Sequence, residues 1–179
     1  MVMARTLGRL AAASCMMLGT AQAGVININP SPGVLNTPNL GRVVATATST
    51  FLVDAASGSV TETGTAIRIP NTSVTTPQYT ITCTGTGNPC STAKRVTVTI
   101  QANTTSGPAF LAALNVSVSS GALTSGPTGQ NTQTVSFVAK SVAPGGTVAV
   151  FNLGMDVTIP ATGTGSKQSP AYTITTTNN

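Results

Sequence analysis

The chain contains no histidine and no tryptophan, and its only acidic residues are Asp54, Glu62 and Asp156. Without histidine, the Ser-His-Asp and Cys-His arrangements are excluded, and with them the commonest general base near neutral pH. A glycosidase needs two carboxylates flanking a sugar, and three acids scattered over the chain supply such a pair only by accident of folding. The two tyrosines, Tyr79 and Tyr172, offer little in the way of an aromatic platform for a sugar ring. Charged residues are 6% of the sequence, against about 25% in globular domains. The formal charge of +5 reflects scarcity of acids rather than a basic patch. Only Lys94 and Arg95 are adjacent and no aromatic residue lies among the cations, so neither a nucleic acid nor an anionic membrane is indicated. These absences predict a protein that is not an enzyme, with no catalytic residues, no metal site and no cofactor.

Two local patterns imitate chemistry. Ser91-Thr92-Ala93-Lys94 satisfies the S-x-x-K expression of penicillin-recognising enzymes, where a helix start holds serine beside lysine. Here it falls between a turn and a strand, and its partner motifs are missing. Gly85 and Gly87 open no helix, so they do not form a phosphate-cradling loop. Asn71, Asn103 and Asn115 each begin a glycosylation sequon, a pattern that a chain rich in asparagine, threonine and serine generates freely.

The front of the chain carries a targeting signal. Arg5 and Arg9 precede a short apolar run from Leu10 to Leu18, and Ala21-Gln22-Ala23 supplies the small-x-small pattern of a cleavage site. The expectation is a signal-peptide helix over 1–23, cut between Ala23 and Gly24. A membrane-spanning helix needs about 20 apolar residues, and this run is shorter. Cys15 as a lipid-attachment cysteine is a weaker alternative, since the expected leucine three places earlier is absent. Removal of 1–23 leaves 156 of the 179 residues and lowers the formal charge from +5 to +3. That length fits one domain. The predicted organisation is an N-terminal extension over 24–41 and a single domain over 42–179, exported to the periplasm, cell surface or exterior, with no membrane span in the mature chain.

What is abundant is threonine, serine, valine and glycine, and β-branched residues fit a pleated, half-buried surface. From Gly24 onward, short windows alternate apolar and hydroxyl residues between glycine, proline and asparagine punctuation. In Arg95 to Gln101, Val96, Val98 and Ile100 point one way; Leu114, Val116 and Val118, then Val135, Phe137 and Ala139, then Val157 and Ile159, then Tyr172 and Ile174 repeat the pattern. Arg42 to Asp54, Ser59 to Ile69, Gln78 to Cys83 and Thr147 to Leu153 are less regular windows, the last one predicted to be covered on both faces. Pro108 to Leu114 has room for a short helical turn. The proline-bearing segment from Asn29 to Asn39 reads as a linker or an edge, because Pro30, Pro32 and Pro38 each remove a ladder donor. The expected fold is all-β, an antiparallel two-sheet sandwich of about eight to ten strands.

Cys83 and Cys90 are the two cysteines left after processing, and in an oxidising compartment an isolated pair reads as a disulfide. It would clamp the hairpin turn between two predicted strands. A loop this small contributes about 2 to 3 kcal/mol in the chain-entropy model.

The C-terminal third, TVSFVAKSVAPGGTVAVFNLGMDVTIPATGTGSKQSPAYTITTT, resembles the end of a family of secreted bacterial β-sandwich domains of unknown function that look like fimbrial, pilin-like subunits. Phe151, Gly154, Val157, Ile159, Gly163, Gly165, Tyr172 and Ile174 occupy that family's closing pattern, and SGSV and PQYTITCTGTG look similar to its early strands. The resemblance implies an immunoglobulin-like or pilin-like sandwich without catalytic residues. The leading functional expectation is a structural surface protein whose partners are copies of itself or neighbouring subunits, assembled by strand addition at a sheet edge. Val25, Ile26 and Ile28 form the candidate donor strand; an ordinary edge strand of the same domain is the competing reading of the same residues. A monomeric exported module binding a ligand such as a glycan through its loop ends is the alternative.

Overall fold

The computed structural model describes residues 24–30, 40, 42–69, 74, 76–87, 89–161 and 170–179. The predicted signal peptide, Ala23, most of the proline-bearing segment, Asn71, Gly163 and Gly165 lie outside them. The described residues form twelve strands and no helix, so the all-β expectation holds while its strand count is low. The strands are β1 (Val25–Asn29), β2 (Arg42–Val44), β3 (Ser49–Val53), β4 (Val60–Thr63), β5 (Ile67–Ile69), β6 (Gln78–Thr84), β7 (Arg95–Ala102), β8 (Phe110–Ser120), β9 (Leu123–Thr128), β10 (Thr134–Lys140), β11 (Thr147–Ile159) and β12 (Tyr172–Asn178). Every pairing is antiparallel.

The larger sheet is organised by β11. β6 pairs with its residues 147–152 and β3 with 155–159, one after the other along one edge, while β8 runs along the opposite edge. β1 extends this sheet beyond β6, and β4 extends it beyond β3. The second sheet has the order β12-β7-β10-β9, and β2 with β5 makes a separate two-stranded ribbon. The ribbon exposes Val44, Ile67 and Ile69.

The alternation read from the sequence places the core. Val96, Val98 and Ile100 of β7, Val135, Phe137 and Ala139 of β10, and Tyr172 and Ile174 of β12 are buried in one cluster with Tyr79, Ile81, Leu114, Val116, Phe151, Leu153 and Met155 of the larger sheet. Side chains meet across the two sheets. Phe137 packs edge-on to Phe151 at 5.3 Å between ring centroids, and the buried hydroxyls of Tyr79 and Tyr172 share a hydrogen bond of 2.6 Å.

Three windows depart from the expectation. Thr147 pairs with Thr82 but Ala149 with Ile81, so Val148 is an inserted residue; this bulge lets Val148 and Ala149 both enter the core, and Val150 is left half-buried. The predicted helical turn before Leu114 is instead the start of β8. Asp156 pairs with Ala113 and Val157 with Leu111, so the insertion of Ala112 returns Leu111 and Leu114 to the same side, which imitates helical spacing in the sequence. Finally, the 42–54 and 59–69 windows each split into two strands, the second at Gly64, whose φ of 118° is left-handed backbone.

The tyrosine pair carries a pH dependence. Burial raises the Tyr79 phenol above its ordinary value, partly offset by the hydrogen bond shared with Tyr172; burial, that same bond and the nearness of Tyr79 all raise Tyr172. A raised folded pKa means the stabilisation is complete below the unfolded value of about 10 and is lost as pH climbs above it. The denaturation midpoint is therefore expected to fall above about pH 10. A Tyr79→Phe, Tyr172→Phe double variant should flatten that fall. The Tyr79→Phe single variant should be the less stable of the two at neutral pH, by about 1 to 3 kcal/mol, because it strands a buried hydroxyl. Urea titrations from pH 7 to 11 decide it; equal slopes in parent and double variant would refute the assignment.

Candidate functional site

β1 is a terminal strand of the larger sheet and the candidate donor segment. Its sequence VININ alternates, so Ile26 and Ile28 turn inward and are half-buried against the core, while Val25, Asn27 and Asn29 are exposed. It pairs with β6 of its own chain, Val25 opposite Thr84 through Asn29 opposite Thr80. Asn27 Nδ2 adds a bond to Thr84 Oγ1 of 2.7 Å.

The head of β1 meets the cysteine turn. Cys83 and Cys90 are joined with an S–S distance of 2.07 Å and a Cα separation of 5.4 Å. Cys83 ends β6 on the core side and is paired with Ile26. The turn is pinned twice more: Cys90 N donates to Gly87 O at 2.8 Å, and the buried Ser141 Oγ donates to Pro89 O at 2.6 Å. Gly24 sits against this turn, and Cys90 Sγ lies 3.9 Å from Val25 O. Sequence reasoning picked out Gly24 only as the residue after a cleavage site; its packing against Gly87, Pro89 and Cys90 depends on residues far along the chain.

The other end of the same sheet is closed differently. On β8, Val116 N donates to Gln130 Oε1 and Gln130 Nε2 donates to Val116 O, both at 2.8 Å, so one side-chain amide stands in for a neighbouring strand. Leu114 N and Leu114 O are bonded to Thr132 O and Asn131 N. On the second sheet, the edge strand β9 contains Gly126 and Pro127 and meets β10 with two register shifts, which blunts it for pairing.

The remaining singled-out residues fall elsewhere. Asp54 Oδ1 accepts bonds from Ala56 N, Ser57 N and Ser57 Oγ, and the Ser57 bonds foremost hold its carboxyl below the ordinary range. Asp156 is raised by burial and lies in register between Leu52 and Ala113. Glu62 pairs with Phe51. Ser91 Oγ accepts from Ala93 N at 3.3 Å within a turn, so the S-x-x-K match stands on no helix. Asn115 Oδ1 accepts from Ala55 N at 3.1 Å, which engages the amide of that sequon inside the fold. A hollow of about 370 Å³ lies near the Asp54 turn, with Ser57, Thr76, Gln78 and Asn152 as its polar lining. Gln78 Nε2 donates to Asn152 Oδ1 at 3.1 Å there.

No family model, no curated protein and no solved structure matches this chain.

Proposed function

We propose that this protein is an exported structural subunit, a two-sheet sandwich of the pilin-like kind, which associates with copies of itself or neighbouring subunits by strand addition at the β6 edge. The supporting observation is the character of β1. It is a terminal strand, its ladder partner is β6, and it contributes only two half-buried apolar side chains, Ile26 and Ile28. Backbone bonds supply the affinity of such an addition and alternate side chains its specificity. Each half-buried isoleucine contributes on the order of 1 kcal/mol, so the segment can leave without dismantling the core. A neighbour's equivalent segment would restore the same ladder. The disulfide, with its oxidising compartment, and the cleavable leader read from the sequence agree with export.

The test is a comparison of exported parent protein with a deletion of 24–29 and with Ile28→Asp in the full chain. Heat-resistant multimers in the parent that collapse to monomers in both variants are expected on gel filtration and unboiled gels. A parent that is monomeric, or multimers indifferent to both changes, would sink the reading. The second reading, a monomeric binding module, is favoured by the neutral amide- and hydroxyl-lined hollow between Ser57 and Asn152. It calls for a monomer whose binding on a glycan panel is lost in Gln78→Ala and untouched by the 24–29 deletion.

A further inference from the structure

We infer that the disulfide-tied turn over 83–90 is a register stop, which admits only glycine at the head of a strand seated on β6. This rests on the strand-addition reading for its consequence in assembly, but its steric basis is within one chain. A Cβ at Gly24 would lie 3.0 Å from Gly87 O, 3.1 Å from Pro89 Cδ and 3.2 Å from Cys90 Sγ. Contacts this tight are relieved only if a neighbour moves by a few tenths of an ångström, and here each neighbour is held. Gly87 O already accepts from Cys90 N, Pro89 O is bonded by Ser141 Oγ, and Cys90 Sγ is fixed by its bond to Cys83. Sliding β1 along β6 by two residues toward the turn would carry Ile26 to the place of Gly24 and meet the same obstruction. The stop therefore specifies the pattern of an acceptable strand: glycine first, then apolar residues at the places of Ile26 and Ile28.

The experiment is a thermodynamic cycle on the exported protein, with its N-terminus at residue 24 checked by mass. Gly24→Ala is made alone, with the pair Cys83→Ala and Cys90→Ala, and with Ser141→Ala. Hydrogen exchange of the amides in 25–29 reads the opening of β1. Gly24→Ala is expected to raise the opening about tenfold in the intact disulfide protein. The same substitution should change it by less than about twofold once the cysteines are gone, because the turn then yields, with Ser141→Ala in between. An alanine without effect in the oxidised protein, or an effect undiminished without the disulfide, overturns the stop. Peptides GVININ and AVININ offered to the parent protein separate the two ideas. Capture of the glycine peptide alone supports both. Equal capture of the two overturns the stop. Capture of neither, beside a positive cycle, leaves the stop standing and removes strand addition.

Discussion

Phe151→Ala is expected to lower the free energy of unfolding by about 3 to 5 kcal/mol. The ring has no solvent exposure and stands 5.4 Å from Tyr79 and 5.3 Å from Phe137, tilted to the first at 30° and edge-on to the second at 70°. Tyr79 belongs to the same sheet and Phe137 to the other, so truncation leaves a cavity at the contact between sheets. The β-branched side chains of the same core, such as Val98 and Val135, are stiff and have few rotamers with which to fill that space. A loss of this size is a large fraction of the 5 to 15 kcal/mol typical of a domain. Phe110→Ala is the control, since Phe110 is only half-buried at the start of β8. Its loss should be less than half as great. Urea titrations at pH 7 measure both; similar losses for the two phenylalanines would show that Phe151 is not the joint between the sheets.

The inward faces of β7, β10 and β12 were legible because each strand is short, regular and alternates without interruption. Val96, Val98 and Ile100 on β7, and Val135, Phe137 and Ala139 on β10, are buried on the schedule their spacing sets. The longest strands were the hardest to read. β11 looks like two windows, 147–153 and 157–159, because Gly154 interrupts the apolar pattern and the Val148 bulge reverses its phase. Bulges answer to the partner strand, and β6 and β8 are remote in sequence from β11. The same holds for Ala112, whose insertion gave the approach to Leu114 a helical look. The disulfide was legible from the number of cysteines and the export that the leader pattern leads one to expect. For the candidate edge, the sequence marked Val25, Ile26 and Ile28 by alternation, yet it held no sign of which strand receives them. That choice lies with Thr80 to Thr84, and the glycine requirement lies with Gly87, Pro89 and Cys90.

Gly154→Ala is expected to cost about 3 kcal/mol or more, although it adds a single methyl group. Gly154 occupies the stretch of β11 between its pairing with β6, which ends at Asn152, and its pairing with β3, which begins at Met155. The gap is closed by a side chain. Asn115, paired with Gly154 on β8, reaches across the bare backbone to accept a bond from Ala55 N just beyond β3. A Cβ at 154 would overlap Asn115 Oδ1, Val53 O and Ala55 N, two of which are main-chain atoms unable to rotate away. Relief requires both moving β3 off β11 and expelling the Asn115 amide, which leaves Ala55 N–H without its partner. The first loosens the Phe51 and Val53 side of the core, and the second strands a part-buried donor. Asn115→Ala separates the contributions. Alone it should cost about 1 to 1.5 kcal/mol, the worth of one bond. Combined with Gly154→Ala it should recover part of the larger loss, because one of the three overlaps is removed. Additive losses in the double variant, measured by the same urea titrations, would mean that the methyl is rejected by β3 alone and that the asparagine does not bridge the junction.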